Sequence, residues 1–246
     1  MSTLAVLACT ATSAAAEQRI ALVIGNSSYQ FARPLKNPLR DANAVGSALR
    51  SAGFEVHSAS NLRRADMPRV MRDFSARVAE KGNRTVALVF YTGHAVQVDG
   101  KSFLIPVDAK IESEADVAKE GLLLADVVSA VSSRPGALRI MIVDASRPNP
   151  FLSGQFAGRG LAIVPAPANT ILAYSSAPGK LADEGNGPNS PYTAALVRTI
   201  QERGLPIEEV FKRVRVSVNK ATNGQQIPWD SSSLTGSFTF DRIASR

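Results

Sequence analysis

The sequence predicts an α/β fold: a mostly parallel sheet with helices packed on both faces. Three observations carry this. The runs "RIALVIG" (19–25), "TVALVF" (85–90) and "LRIMIV" (138–143) are continuously apolar rather than alternating, as in strands covered on both faces. Stretches of helical periodicity separate them, which is the order of a parallel sheet built from strand and crossover helix. The 246 residues, 45% hydrophobic, suffice for one large core, and no repeat, low-complexity tract or linker divides them.

Each element has its own signal. After the first strand, "RDANAVGSALRSAGF" has helical spacing and stops at Gly53, and "EVHSAS" (55–60) is a short second strand. Met67, Val70, Met71, Phe74 and Val78 recur on one face of a helix closed by Gly82. "TVALVFYTGH" is the third strand, and "AVQVDGKSFLIP" a hairpin turned by Asp99-Gly100. "LLADVVSAVSSRPG" gives a helix before the fourth strand at 138–143; "NTILAYSSA" is the fifth strand after a long loop. The glycine- and proline-bearing segment 178–189 reads as a mobile loop, with Lys180 as its basic cleavage point. Ser190-Pro191 opens a helix as cap and first residue. A second begins at Pro206 with Ile207, Val210, Phe211, Val214 and Val218 on one face, and "SFTF" (237–240) is expected to close the sheet's edge.

Residues 1–16 are small, apolar and uncharged and end in an Ala-x-Ala-like run, the layout of a secretory signal, so the chain is expected to be periplasmic or secreted, with the domain proper at 17–246. This leader is too short to span a bilayer, and no transmembrane segment is expected. Cys9, the single cysteine, lies inside it, so the mature chain offers no disulfide, thiolate metal site or cysteine nucleophile. With His57 and His94 the only histidines, neither a metal nor another cofactor is expected. The formal charge of +7 is uneven: residues 19–84 carry 12 Lys/Arg against 5 Asp/Glu, residues 85–133 carry 3 against 7. The basic positions are scattered on helices with little aromatic interleaving, so nucleic acid is not expected as a partner.

Ligands of such sheets bind at the carboxyl ends of the strands, which directs attention to 26–29, 92–95, 144–147 and 175–177. One formal match falls away first. Residues 95–102, "AVQVDGKS", fit a relaxed phosphate-loop pattern, but the loop holds two valines and an aspartate and leads into a strand rather than a helix N-terminus. His94 directly follows an apolar strand with Gly93 beside it, and Ser146 follows the next, so the two could face each other. His57, in a short polar strand, fits a structural role.

From Arg19 to Asp241, the blocks "RIALVIGNSSY", "LKNPLRDANAVGSALRSAGFEV", "VALVFYTGHAVQVDGKSFLIPVDA", "LRIMIVDASRPNPF", "ILAYSSAPG", "NSPYTAALVRTI" and "PWDSSSLTGSFTF" resemble, in order, the bacterial caspase-like peptidases of the metacaspase and orthocaspase type. The resemblance implies a caspase-like sandwich and a cysteine-type endopeptidase family. It implies that His94 stands at the dyad histidine and that Ser146 occupies the place of the catalytic cysteine. Ala95 replaces the second glycine of the family's "GHG", whose amide belongs to the oxyanion hole. Asp41 and Asp144 match acids that set a Lys/Arg preference, to which the loop acids Asp183 and Glu184 are expected to converge. Without the resemblance, Asp41 is a charge opening a helix, Asp144 a strand-end cap and Asp183 a solvated turn residue.

A cysteine is partly thiolate near neutral pH, whereas a serine needs a tightly hydrogen-bonded base and a group that orients it. Alanine keeps its N–H but loses glycine's range, which would misplace the donor if that position needed positive φ. The expected function is therefore that of an impaired pseudopeptidase that binds basic or extended peptide segments or pairs with an active relative. The alternatives are an active endopeptidase using Ser146 with His94, and an interaction module with no peptide site.

Overall fold

The computed structural model describes residues 17–132, 138–151 and 160–241. The expected leader, the end of the helix expected before the fourth strand and part of the loop after that strand lie outside the described residues.

The elements run β1 (Gln18–Gly25), α1 (Pro38–Ser51), β2 (Glu55–Ser60), α2 (Asp66–Glu80), β3 (Thr85–Thr92), β4 (Ala95–Val98), β5 (Lys101–Leu104), α3 (Glu114–Glu120), β6 (Leu122–Leu123), α4 (Leu124–Ser132), β7 (Leu138–Asp144), β8 (Thr170–Tyr174), α5 (Pro191–Ile200), α6 (Ile207–Ala221) and β9 (Trp229–Ser232). A six-stranded sheet has the order β2-β1-β3-β7-β8-β9. Its first five strands are parallel and β9 is antiparallel to β8.

Strand alternation divides the core as a doubly covered sheet requires. Ala21, Val23, Leu88, Phe90 and Ile142 face α1, α5 and α6, while Ile20, Leu22, Val89, Tyr91 and Met141 face α2 and α4. The expected stripe on α2 is the one buried, through Met67, Met71, Phe74 and Val78. Close approach of α1 to β1 depends on Gly25, where a Cβ would lie 2.7 Å from the Pro38 carbonyl oxygen. The hairpin turns through Asp99 and Gly100 at φ 48° and 71°, the two left-handed residues of a type I′ turn. It forms a small second sheet, β4-β5-β6, in which Leu122 and Leu123 are strand rather than the start of α4.

One expectation is corrected. "SFTF" does not close the sheet; the edge strand is "WDSS" at 229–232. Phe238 and Phe240 point together into the core and pack on Phe54 at centroid distances of 6.5 and 6.3 Å, leaving only an isolated bridge from Thr239 to Pro206. Burial of two aromatic rings outweighs ladder formation there. Among the described residues, no helix is long and apolar enough to cross a membrane.

Candidate functional site

The parallel strands deliver the candidate residues to one rim. β3 and β7 are neighbours with Thr92 paired to Asp144, so His94 and Ser146 each lie two residues beyond the same register pair. Gly93 makes the turn between them and β4: a Cβ there would lie 2.7 Å from the Tyr29 hydroxyl and 2.9 Å from that of Tyr91. The His94 N–H donates to the Tyr29 hydroxyl at 2.7 Å, and the Tyr29 and His94 rings meet at 4.5 Å. Burial pushes the Tyr29 phenol up to about 12, so it remains a neutral hydrogen-bonding group.

His94 is buried, and its Nε2 lies 3.1 Å from the Arg33 carbonyl oxygen. A carbonyl only accepts, so Nε2 carries the proton and Nδ1 the lone pair. Burial, with a further push from the Arg147 cation, drives the imidazole down to about 4; the Arg33 carbonyl and Glu184 pull it only part of the way back. At neutral pH His94 is therefore an uncharged, weak base. Ser146 is also buried, and its carbonyl accepts the Ala182 N–H at 2.6 Å. Neither Ser146 Oγ nor His94 Nδ1 has a hydrogen-bond partner, so the hydroxyl and the lone pair that should be joined in a working serine site are not.

Ala95 keeps the extended backbone of β4, not the left-handed conformation that would call for glycine. Since the Ile105 N–H donates to the His94 carbonyl at 3.1 Å, Ala95 falls at the non-hydrogen-bonded position of the ladder and its own N–H points away from β5. The condition under which alanine would misplace the donor is not met.

The acids do not form one cluster. Asp41 and Asp144 are fully buried and converge on the N-terminus of α5, where the helix's free amides favour negative charge. Asp41 Oδ1 accepts from Asn189 Nδ2 (2.8 Å) and the Ser190 N–H (3.1 Å). Asp144 Oδ2 accepts from the Ser190 hydroxyl (2.5 Å) and the Thr193 hydroxyl (3.2 Å). Burial, then repulsion from Asp144, raises Asp41 to about 7. Asp183 instead lies exposed, its Oδ1 accepting the Gly185 N–H at 2.9 Å. It lines a cleft of about 520 Å³ together with Arg33, His94, Arg147 and Glu184, a cleft that neither Asp41 nor Asp144 reaches. The expected convergence of Asp183 with the other two acids is thus corrected: two carboxylates are consumed at a helix terminus and the third faces the cleft.

Arg147 carried no role in the sequence reading, and Glu184 was read only as a loop acid converging with Asp41 and Asp144. Arg147, adjacent to Ser146, is buried with Nη1 donating to the Asp144 carbonyl (2.6 Å) and the Gly93 carbonyl (3.3 Å), and 3.8 Å from Asp144 Oδ1. Its neighbours in "DASRPNP" give no local sign that it turns inward. Glu184 latches the 178–189 segment: Oε1 accepts the amides of Lys36 (2.5 Å) and Asn37 (3.3 Å), and Asn37 Nδ2 donates to the Glu184 carbonyl at 2.7 Å. The loop at the site mouth is irregular, as expected, and is strapped across it. Among the described residues no group of three or more His, Cys, Asp or Glu could hold a metal ion.

Comparison with known proteins agrees with this arrangement. A family model described as the caspase domain matches residues 18–239. Over 132 residues the chain is 28% identical to human mucosa-associated lymphoid tissue lymphoma translocation protein 1, and 29% identical over the same length to its mouse homolog. These matches cover 54% of this chain but 15% of either relative, so the chain spans only a small part of their length. A match over nearly all of the described residues, on a parallel sheet with histidine and serine at adjacent strand ends, places the chain in the caspase-domain peptidase family.

Proposed function

We propose that this chain is a catalytically impaired member of its family that holds peptide segments in the cleft beside His94 without cleaving them. The observation that carries the reading is the pair of orphaned atoms, Ser146 Oγ and His94 Nδ1. A serine hydroxyl becomes nucleophilic only when a base is hydrogen-bonded to it and a third group holds that base in the useful tautomer. Here the orienting contact from the Arg33 carbonyl exists but the serine–histidine bond does not, and the base is pushed down to about 4. The cleft, at about 520 Å³, falls within the range that encloses a side chain or a short extended segment. Its occupant is a peptide or a protein partner, including an active relative, met in the periplasm or outside the cell after removal of the leader.

The test is turnover of fluorogenic peptide panels by the native chain beside Ser146→Cys. The native chain is expected to show none above background. Ser146→Cys is expected to gain measurable, incomplete activity, because a thiol needs less help than a hydroxyl while the depressed His94 disfavours a thiolate–imidazolium pair. Native turnover that Ser146→Ala abolishes would establish Ser146 as a working nucleophile and overturn the reading.

A further inference from the structure

We infer that the free edge of β2 is a docking site for an extended, acidic segment of another protein, which adds to the sheet as a further strand. β2 lies two places from β3, the strand that carries His94 to the rim, and the inference does not depend on the reading of the cleft.

Among the described residues β2 pairs with β1 alone. The Asn61 N–H donates to the Gly25 carbonyl at 3.0 Å, which continues the parallel ladder. Alternation therefore aims the amides and carbonyls of Glu55, His57 and Ala59 at β1, and those of Val56, Ser58 and Ser60 away from it. Such a row is ordinarily blunted by a proline, a bulge or charges along the strand. "EVHSAS" has no proline, its register is unbroken, and beyond His57 its side chains are small. A pocket flanks it on each face of the sheet. One of about 130 Å³, on the α2 side, is lined by Leu22, His57, Phe74 and Arg77; one of about 220 Å³, on the α1 side, by Leu39, Ala42, Ser58 and Ser60. An added strand points successive side chains to opposite faces, so it fills the two pockets in alternation. Each face also carries an exposed arginine. The Arg50 side chain, on α1, reaches the Ser58 hydroxyl at 3.5 Å, and Arg77, on α2, lines the smaller pocket. The acids nearby are engaged elsewhere, Asp73 with Arg69 at 3.9 Å and Glu55 with Lys81 at 2.6 Å. A row of alternating amides and carbonyls matches a polypeptide backbone, and the two arginines match acidic side chains on both faces of that backbone. A second copy of β2 would bring the same arginines against themselves, so like charge disfavours it.

The experiment titrates the native chain into a fluorescein-labelled peptide amide, Val-Thr-Glu-Glu-Val-Thr, and follows polarisation. Saturable binding with a dissociation constant below about 1 mM is expected, and binding about tenfold weaker to Arg50→Glu with Arg77→Glu. Ser58→Pro removes an outward amide that the fold does not use, and is expected to abolish binding. Should Ser58→Pro not fold, the peptide carries the same test on the native chain. Of two peptides N-methylated at the first or at the second glutamate, one is expected to lose binding and the other to keep it, because only one of those amides can face β2. No binding by the native chain, equal binding of the two methylated peptides, or no effect of the arginine reversals would overturn the inference. Sedimentation showing a dimer that Ser58→Pro dissolves would give the edge to a second copy of this chain and overturn it as well.

Discussion

At His94 and Asp41, burial works on two groups of opposite charge type, and their effects on stability oppose each other. His94 falls from its ordinary 6.5 to about 4, so its share of stability is present above the unfolded value and is lost as pH drops from 6.5 through 4. Asp41 rises from 3.8 to about 7, so its share is present below 3.8 and is lost as pH climbs through 7. Asp41→Asn is therefore expected to melt higher than the native chain above about pH 7, and to lose melting temperature more steeply between about pH 6.5 and pH 4, where His94 acts alone. His94→Gln should show the reverse tilt; thermal melts across that range check both. Ala95→Gly in the Ser146→Cys background is expected to leave the rate within about threefold while costing about 0.5–1 kcal/mol, since a strand glycine is entropically dearer. His94 and Ser146 were legible because each follows an apolar run directly. Their missing hydrogen bond was not, and neither was the inward turn of Arg147, because both depend on contacts between elements that no local spacing encodes.

Among the elements, the strap from 178 to 189 is the one whose behaviour its composition foretold only in part. Glycine and proline predicted irregular chain, while the Glu184 latch joins residues 148 positions apart in sequence and leaves no local trace. Trypsin is expected to cut native protein first after the exposed Lys180. Glu184→Ala should speed that cut about fivefold, the equivalent of about 1 kcal/mol in opening free energy when opening equilibrium limits cleavage. Equal rates would show that the latch does not hold the segment. The other elements divide along the same line. Long apolar strands and the Met/Val/Phe stripe of α2 were readable, as was the Asp-Gly hairpin. α3 was missed although Ser113 and Asp116 form a capping box, because a helix of 7 residues buries little beyond Val117. "WDSS" shows no apolar alternation and "SFTF" does, so the edge was assigned to the wrong segment.

At the scale of the whole molecule, the first strand is tied to the segment 238–240. Arg19, on β1, donates from Nη1 to the carbonyls of Ala52 (3.0 Å) and Phe240 (2.6 Å) and from Nη2 to that of Thr239 (3.1 Å), with its guanidinium over the Phe238 ring at 4.9 Å. Arg19→Met is expected to cost about 2–4 kcal/mol, read as a lower urea midpoint, because three carbonyls lose a charged donor together. Helices on both faces followed from continuous apolar strands, but the strand order did not, since nothing local says that β1 lies between β2 and β3. That order has a consequence for how the chain reaches this state. Gly25 pairs with Thr92, and Thr92 with Asp144, so the central strands must wait for partners synthesised long after them. The face bearing Val23, Phe90 and Ile142 has its full cover only when α5 and α6, residues 191–221, have emerged. Folding is thus deferred to the last part of synthesis and is slow in the manner of non-local parallel pairing. A chain that stays open this long leaves its apolar strands uncovered until the last helices emerge, and its first strand comes to rest one place in from the sheet's edge.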